Sequence, residues 1–505
     1  MIEKYLSKIK ESSVYDVALK TPLHYAPLLS RRHGNSIYLK REDLQPIHSF
    51  KIRGAYNKMS ALSPSDTGKG VIAASAGNHA QGVAYSARAL NLKATIVMGK
   101  NTPSIKVDAV RALDARVILF GDTYDEAAVH AEQLSKEKGY VFVHPYDDAS
   151  VIAGQGTIAM EVLDESSAPP DIIFVPVGGG GLIAGVAAYI KALSPSTKVV
   201  GVEAEGSACL AAAMKAGRRV KIPFEKLDLF ADGVSVSQIG KEPFRVVRDI
   251  VDDVICVTTD EICAAIKDVF DDTRSIAEPA GALSIAGLKK YVGTNQIIDQ
   301  SLVGLITGAN VNFDRLRHIS ERAELGEQRE VILGVTIPEE VGSFLSFCKT
   351  LGKRAVSEFN YRFSPEKNAH VYVGVQVASL EDRKELMDKL IGANYRVHDM
   401  TENEVAKLHV RHMVGGRTGG TKSELLYRFE FPERPGALLT FLGGVGTKWN
   451  ITMFHYRNHG SAWARVLVGF EASASDRSKL STYLNKIGYR YWEETDNDAY
   501  RLFLK

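Results

Sequence analysis

Between about residue 38 and residue 320, short runs rich in Val, Ile and Leu alternate with longer segments of helical spacing. The runs include GVIAAS (70–75), ATIVMG (94–99), ARVILFG (115–121), IIFVPVGG (172–179), KVVGVEAE (198–205) and LVGLITG (302–308). Such nearly continuous apolar runs predict strands buried on both faces of a parallel sheet. Between them, segments such as HAQGVAYSARALN (79–91) place small and apolar residues at helical spacing. The alternation predicts an open α/β fold with its ligand at the C-terminal ends of the strands.

After residue 320 the pattern changes. The charged segment HISERAELGEQRE (318–330) reads as a helical linker, and an internal repeat follows. IPEEVGSFLSF (337–347) lines up with FPERPGALLTF (431–441) at an offset of 94. NYR (360–362) lines up with HYR (455–457), and VYVGVQV (371–377) with VLVGFEA (466–472), both at an offset of 95. Pro and Gly before each apolar helical stretch suit a loop that opens a helix. The tail therefore predicts two βαββαβ-type units in tandem, an α+β arrangement. The division expected is a catalytic domain over 1–320, a linker over 321–330, and repeat units over 331–415 and 416–505.

Composition narrows the class. The 505 residues exceed the ~250–300 at which one core stops growing, in line with several domains. A net charge of +2, spread without blocks, suggests no nucleic-acid or anionic-membrane partner. Cys209, Cys256, Cys263 and Cys348 form no C-x-x-C pair, so neither a zinc site nor a disulfide framework is expected. The charged start, MIEKYLSKIKESS, has no apolar core of a signal peptide, and no apolar stretch reaches membrane-spanning length. A cytoplasmic protein is expected.

Four motifs carry candidate chemistry. In HSFKIRGAYN (48–57), Lys51 follows Phe50 at a helix start; burial there would lower its pKa and make its amine nucleophilic. SAGNHAQG (75–82) joins a strand to a helix, and its small residues let backbone N–H groups approach an anion. Asn78 adds an amide; His79 reads as structural. VGGGGLIAG (177–185) is a second anion loop without the Lys of a P-loop. Taken by itself it fits NAD equally well, because Gly179, Gly181 and Ala184 satisfy G-x-G-x-x-A and Glu203 ends a later strand. TGAN (307–310) places the Thr307 hydroxyl at a strand end.

Together and in this order, these motifs and AEPAGA (277–282) resemble the fold-type II pyridoxal-phosphate enzymes (the tryptophan synthase β-like fold). Within them the chain resembles the biosynthetic threonine dehydratases, which carry a duplicated ACT-like C-terminal domain. The resemblance spans nearly the whole chain. It implies a Schiff base between Lys51 and pyridoxal 5′-phosphate, flanked by Phe50. It implies that Gly178, Gly179, Gly180, Gly181 and Leu182 cradle the phosphate, that Asn78 bonds the 3-oxygen, and that Thr307 faces the ring nitrogen, where relatives often have serine. Ser75, Ala76, Gly77 and Asn78 would hold the substrate carboxylate.

The implied reaction turns L-threonine into 2-oxobutanoate and ammonia, the first step of isoleucine synthesis, with isoleucine inhibiting and valine opposing. Tyr361 and Arg362, with their repeat counterparts Tyr456 and Arg457, stand where the family contacts its effector. A homotetramer is implied. Ala76 replaces the serine of serine racemases, so elimination without racemisation is expected. Glu203 matches a cation ligand of some relatives, but Cys209 stands where an acid would be, so no divalent metal is expected. Glu278 reads either as a residue near the cofactor or as a helix cap. Alternatives are a serine-preferring dehydratase, an NAD oxidoreductase, and a sensor that uses only the tail.

Overall fold

The computed structural model describes residues 2–505 apart from 101, 122–123, 224–225, 314, 328, 364–366, 404–405, 408–409, 413–422, 433–436, 446–448, 458–462, 498–499, 501–503 and 505. At 412, 430, 432, 437, 444–445, 457, 463–465 and 474 it describes the backbone alone. The chain divides into two compact units, Met1–Gly326 and Glu327–Lys505.

Unit 1 contains β1 (Leu23–Tyr25), β2 (Ser36–Arg41), β3 (Val71–Ala74), β4 (Ala94–Met98), β5 (Arg116–Leu119), β6 (Val141–Phe142), β7 (Ile172–Pro176), β8 (Lys198–Ala204), β9 (Asp253–Val257) and β10 (Ser301–Ile306). They form two sheets. One has the order β1-β2-β10-β7-β8-β9, parallel except for the β1–β2 pair; the other is a parallel sheet of order β5-β4-β3-β6. Every residue of β3, β4 and β7 is buried, as runs of Val, Ile and Ala between two helical layers must be. Apolar clusters cover both faces of each sheet: Phe174 and Leu283 on one side of the larger, Val175 and Ile183 on the other.

Unit 2 contains β11 (Glu330–Pro338), β12 (Val356–Arg362), β13 (Asn368–Gln376), β14 (Arg396–Asp399), β15 (Glu424–Pro432), β16 (Asn450–Arg457), β17 (Trp463–Glu471) and β18 (Arg490–Glu493). They form one antiparallel sheet of order β14-β11-β13-β12-β16-β17-β15-β18. The order is a palindrome of the two repeats, joined where β12 pairs with β16, Phe359 opposite Tyr456 and Tyr361 opposite Phe454. Phe347, Leu386, Phe441 and Leu480, from a helix pair in each repeat, share one apolar core.

The duplication extends to a polar detail. The register of β12 slips between Val356 and Glu358, and that of β16 between Ile451 and Met453. Each bulge frees one hydroxyl, Ser357 or Thr452, which donates to a glutamate on the first strand of its repeat, Glu330 or Glu424. Gly374 and Gly469 leave room for those carboxylates. A Cβ there would sit 2.8 Å from the Glu330 Oε1 or 2.6 Å from the Glu424 Oε1.

Candidate active site

A cavity of about 860 Å³ lies in unit 1 where the loops after β3, β7 and β10 meet the start of the helix Lys51–Ser60. These are C-terminal strand ends, the place where open α/β sheets bind ligands. The four motifs singled out in the sequence all line it.

Lys51 is the first residue of its helix. Its Nζ donates to the Pro145 carbonyl at 3.2 Å and lies 5.2 Å from the centre of the Phe50 ring. Enclosure lowers its pKa to about 8, against the opposing pull of the Glu278 carboxylate. Its amine is therefore neutral far more often near physiological pH than that of a surface lysine. Arg53, two residues on, anchors the helix. Its guanidinium is fully buried, with Nε 2.7 Å from the Glu42 Oε2 and Nη1 2.6 Å from the Glu161 Oε1. Lys40 Nζ completes the charge balance at 2.7 Å from the Glu161 Oε2.

The glycine loop leads from β7 into the helix Gly181–Leu193, whose N-terminus no side chain caps. Its first-turn N–H groups have no acceptor within the helix and suit a bound anion. Gly180 adopts φ +90°, which side-chain-bearing residues rarely do. A Cβ on Gly179 would come within 2.2 Å of the Tyr146 ring.

In the loop after β3 some donors are already spent. Ser75 N–H bonds Val97 O at 3.1 Å, extending the strand ladder, and Gly77 N–H bonds Ser75 Oγ at 3.2 Å. What remains for a ligand is the Ala76 N–H, the Ser75 hydroxyl and the uncapped start of the helix Asn78–Ala89. Asn78 Nδ2 donates to Glu278 Oε1 at 2.6 Å, and its Oδ1 accepts from Asn310 Nδ2 at 2.8 Å. His79 is buried, with Nε2 2.8 Å from Val143 O; burial and the nearby Lys51 charge lower its pKa to about 3 and keep it neutral. Thr307 is buried and gives its hydroxyl proton to Ala280 O at 3.1 Å, which leaves the oxygen as an uncharged acceptor.

Glu203 lies outside this group. It is fully buried and accepts from Leu210 N–H at 2.7 Å and Ala211 N–H at 2.8 Å, at the start of the helix Cys209–Ala216. Fully buried and outside the cavity lining, Glu203 presents no carboxylate there for the ribose that the NAD reading needs. Among the described residues no group of three or more His, Cys, Asp or Glu is placed to hold a metal. Pro145 and Tyr146 were missed by the sequence reading. They follow the two-residue strand β6, too short to mark a strand end.

In unit 2, Tyr361 lines a cleft of about 30 Å³ with Phe344 of its own repeat and Trp449 of the other. Its hydroxyl donates to Glu339 Oε1 at 2.6 Å. Arg362 does not line the cleft. Its guanidinium donates to Glu424 at 2.7 and 3.2 Å and to Leu504 O at 2.6 Å. Tyr456 is buried beside β12. The side chain of Arg457 lies outside the described residues.

An enclosed lysine amine sharing a cavity with a glycine-lined anion cradle defines a cofactor enzyme of the lysine-anchored aldehyde kind. Residues 14–308 match the pyridoxal-phosphate dependent enzyme family, and residues 321–410 and 415–504 each match the C-terminal regulatory domain of threonine dehydratase. The chain is 52% identical to the biosynthetic L-threonine dehydratase IlvA of Pasteurella multocida, covering 99% of this chain and 97% of that one. It is 53% identical to IlvA of Escherichia coli with the same coverage. The structure of processed threonine deaminase isoform 2 from Solanum lycopersicum superposes with a TM-score of 0.63 at 47% identity, over 64% of this chain and 88% of that one. The chain belongs to the pyridoxal-phosphate-dependent threonine dehydratases that carry the doubled regulatory domain. The residues present fit the cofactor: a lowered-pKa amine, a glycine cradle that a Cβ would obstruct, and an uncharged hydroxyl at Thr307 share one cavity.

Proposed function

We propose that this chain dehydrates and deaminates L-threonine to 2-oxobutanoate and ammonia in the unit 1 cavity, the first step of isoleucine synthesis, and that isoleucine bound in unit 2 inhibits it while valine opposes isoleucine. The observation that carries the first part is the Lys51 amine in the same cavity as the glycine loop. Gly178 to Gly181 and Leu182 would hold the cofactor phosphate by N–H groups, Asn78 its 3-oxygen, and Thr307, on turning its hydroxyl proton from Ala280 O, its ring nitrogen. When bound, pyridoxal phosphate supplies an electron sink for the charge left at the substrate Cα.

The chain's own residues do the rest. Ala76 N–H, the Ser75 hydroxyl and the start of the helix Asn78–Ala89 receive the substrate carboxylate beside Gly77. Lys51, with its pKa near 8, takes the α-proton as general base and returns it to the leaving β-hydroxyl, which departs as water. The enamine released then takes up water and loses ammonia. Thr307 brings no charge to the ring nitrogen, and Ala76 offers no proton on the opposite side, so β-elimination is favoured over transamination and racemisation.

For control, the unit 2 cleft at Tyr361 has room for a water or two. Isoleucine has to open it, and that opening supplies the difference between two states on which allostery depends. Tyr361 and Tyr456 would pack the aliphatic side chain. Arg362 would have to leave Glu424 to meet the carboxylate, and Arg457 would take that part in the other repeat's version of the site. The working assembly is a cytoplasmic homotetramer of chains divided as 1–320, 321–330, 331–415 and 416–505. The test is 2-oxobutanoate release from threonine, with serine alongside and isoleucine or valine added. Faster turnover of serine, or no response to isoleucine, would reject the corresponding half.

A further inference from the structure

Glu278 occupies the N-cap position of the helix Pro279–Asn295, yet its side chain bonds no N–H of that helix. It is 5% exposed and turns into the active-site cavity, where Oε1 accepts from Asn78 Nδ2 at 2.6 Å. The Asn310 backbone faces this carboxylate and favours its charged form. The backbone holds the residue in place, since Glu278 N–H donates to Gly308 O at 3.0 Å. Gly308 in turn leaves room for it: a Cβ there would lie 2.6 Å from Glu278 Oε1. A group so placed is built into the site and does not serve its own helix.

Donor counting fixes what it does. Asn310 Nδ2 donates to Ile47 O at 2.8 Å and to Asn78 Oδ1 at 2.8 Å, using both its hydrogens. Ile47 O can only accept, so the orientation of the Asn310 amide is set independently of Asn78. Asn78 must therefore turn Oδ1 to Asn310 and Nδ2 to Glu278. Of the two Nδ2 hydrogens, Glu278 takes one, and the other remains for a ligand in the cavity. Burial and the nearby Asp232 charge raise the Glu278 pKa to about 7, and in either protonation state Oε1 can accept from Asn78; an amide there has one orientation that would set its NH₂ against that of Asn78.

We propose that Glu278 is a positioning residue which, with Asn310, clamps the Asn78 amide so that one N–H is offered to the cofactor's phenolic oxygen. The inference rests on the proposed role of Asn78 toward the cofactor. It makes Glu278 act through Asn78, not through proton transfer with substrate.

The test is equilibrium titration of the full-length apoprotein with pyridoxal phosphate, followed by the visible absorbance band of the lysine-bound cofactor. Glu278→Ala should weaken cofactor binding about tenfold to a hundredfold, the range for a lost hydrogen bond to a charged group. Glu278→Gln, which can still accept from Asn78, should recover most of that loss. Glu278→Ala added to Asn78→Ala should weaken binding no further than Asn78→Ala alone. Unchanged binding in Glu278→Ala, or additive losses in the double variant, would overturn the proposal. So would a Glu278→Gln protein that binds cofactor normally but has lost turnover as fully as Glu278→Ala, because that marks a proton-transferring group. Should Glu278→Ala fail to fold, Asn310→Ala, alone and combined with Asn78→Ala, tests the same clamp: additive losses there overturn the proposal, and non-additive losses support it. A wild-type protein that never develops the band would sink the cofactor reading itself, a different result.

Discussion

At the scale of single residues, the site is built by withholding atoms as much as by supplying them. Gly179 has no Cβ, and Tyr146 fills that space with its ring. Gly179→Ala should therefore displace the ring or the loop and weaken pyridoxal-phosphate binding at least about tenfold, read by titration of the apoprotein; retained affinity would mean the cradle lies elsewhere. Lys51 makes a second prediction. Its folded pKa, about 8, lies below the ~10.4 of an exposed lysine, so between these values the unfolded chain holds more protons and stability rises with pH. Capture of the cofactor by apoprotein should accordingly accelerate with pH about a midpoint near 8. A midpoint near ~10.4 would show the amine to be solvated.

At the scale of elements, the apolar runs foretold the central strands because burial on both faces leaves an unambiguous trace, as in β3, β4 and β7. What stayed hidden was local or relational. β6 has two residues, and β9 is exposed at Asp253, so neither reads as a buried run. The separation of β3 to β6 into their own sheet depends on pairing, which periodicity does not encode. Lys51, the glycine loop and Thr307 were legible because each sits at a helix start or a strand end with an unusual local composition. The clamp on Asn78 was not, because Glu278 is 200 positions away in the chain. Arg53 was equally silent, although it ties the Lys51 helix to Glu42 and Glu161. Arg53→Ala should cost about 3–5 kcal/mol by stripping buried Glu42 of its Arg53 partner and leaving Glu161 to Lys40 alone, measurable as a lower unfolding transition of unit 1. Burial raises the Glu161 pKa, but Arg53 and Lys40 more than reverse this and hold it below the usual range. Its contribution is therefore present above the unfolded value of ~4.3 and is lost as pH falls through the folded one.

At the scale of the whole molecule, the chain joins a cavity that has the parts for chemistry to a sheet built from two repeats beside a small cleft at Tyr361. The duplication was visible in the tail, but the shared bulge that seats Ser357 on Glu330 and Thr452 on Glu424 emerges only from strand register. If the cleft at Tyr361 receives the effector, Tyr361→Ala should raise the isoleucine concentration needed for inhibition about tenfold while turnover without isoleucine stays unchanged. Isoleucine inhibition unchanged from wild type in both the Tyr361→Ala and Tyr456→Ala proteins would remove both residues from that role. The two units also make separable demands on one variant of the full chain. In Lys51→Ala, threonine turnover should fall at least about a hundredfold while isoleucine still binds to unit 2. A Lys51→Ala protein that releases 2-oxobutanoate at the wild-type rate would contradict the account at its centre.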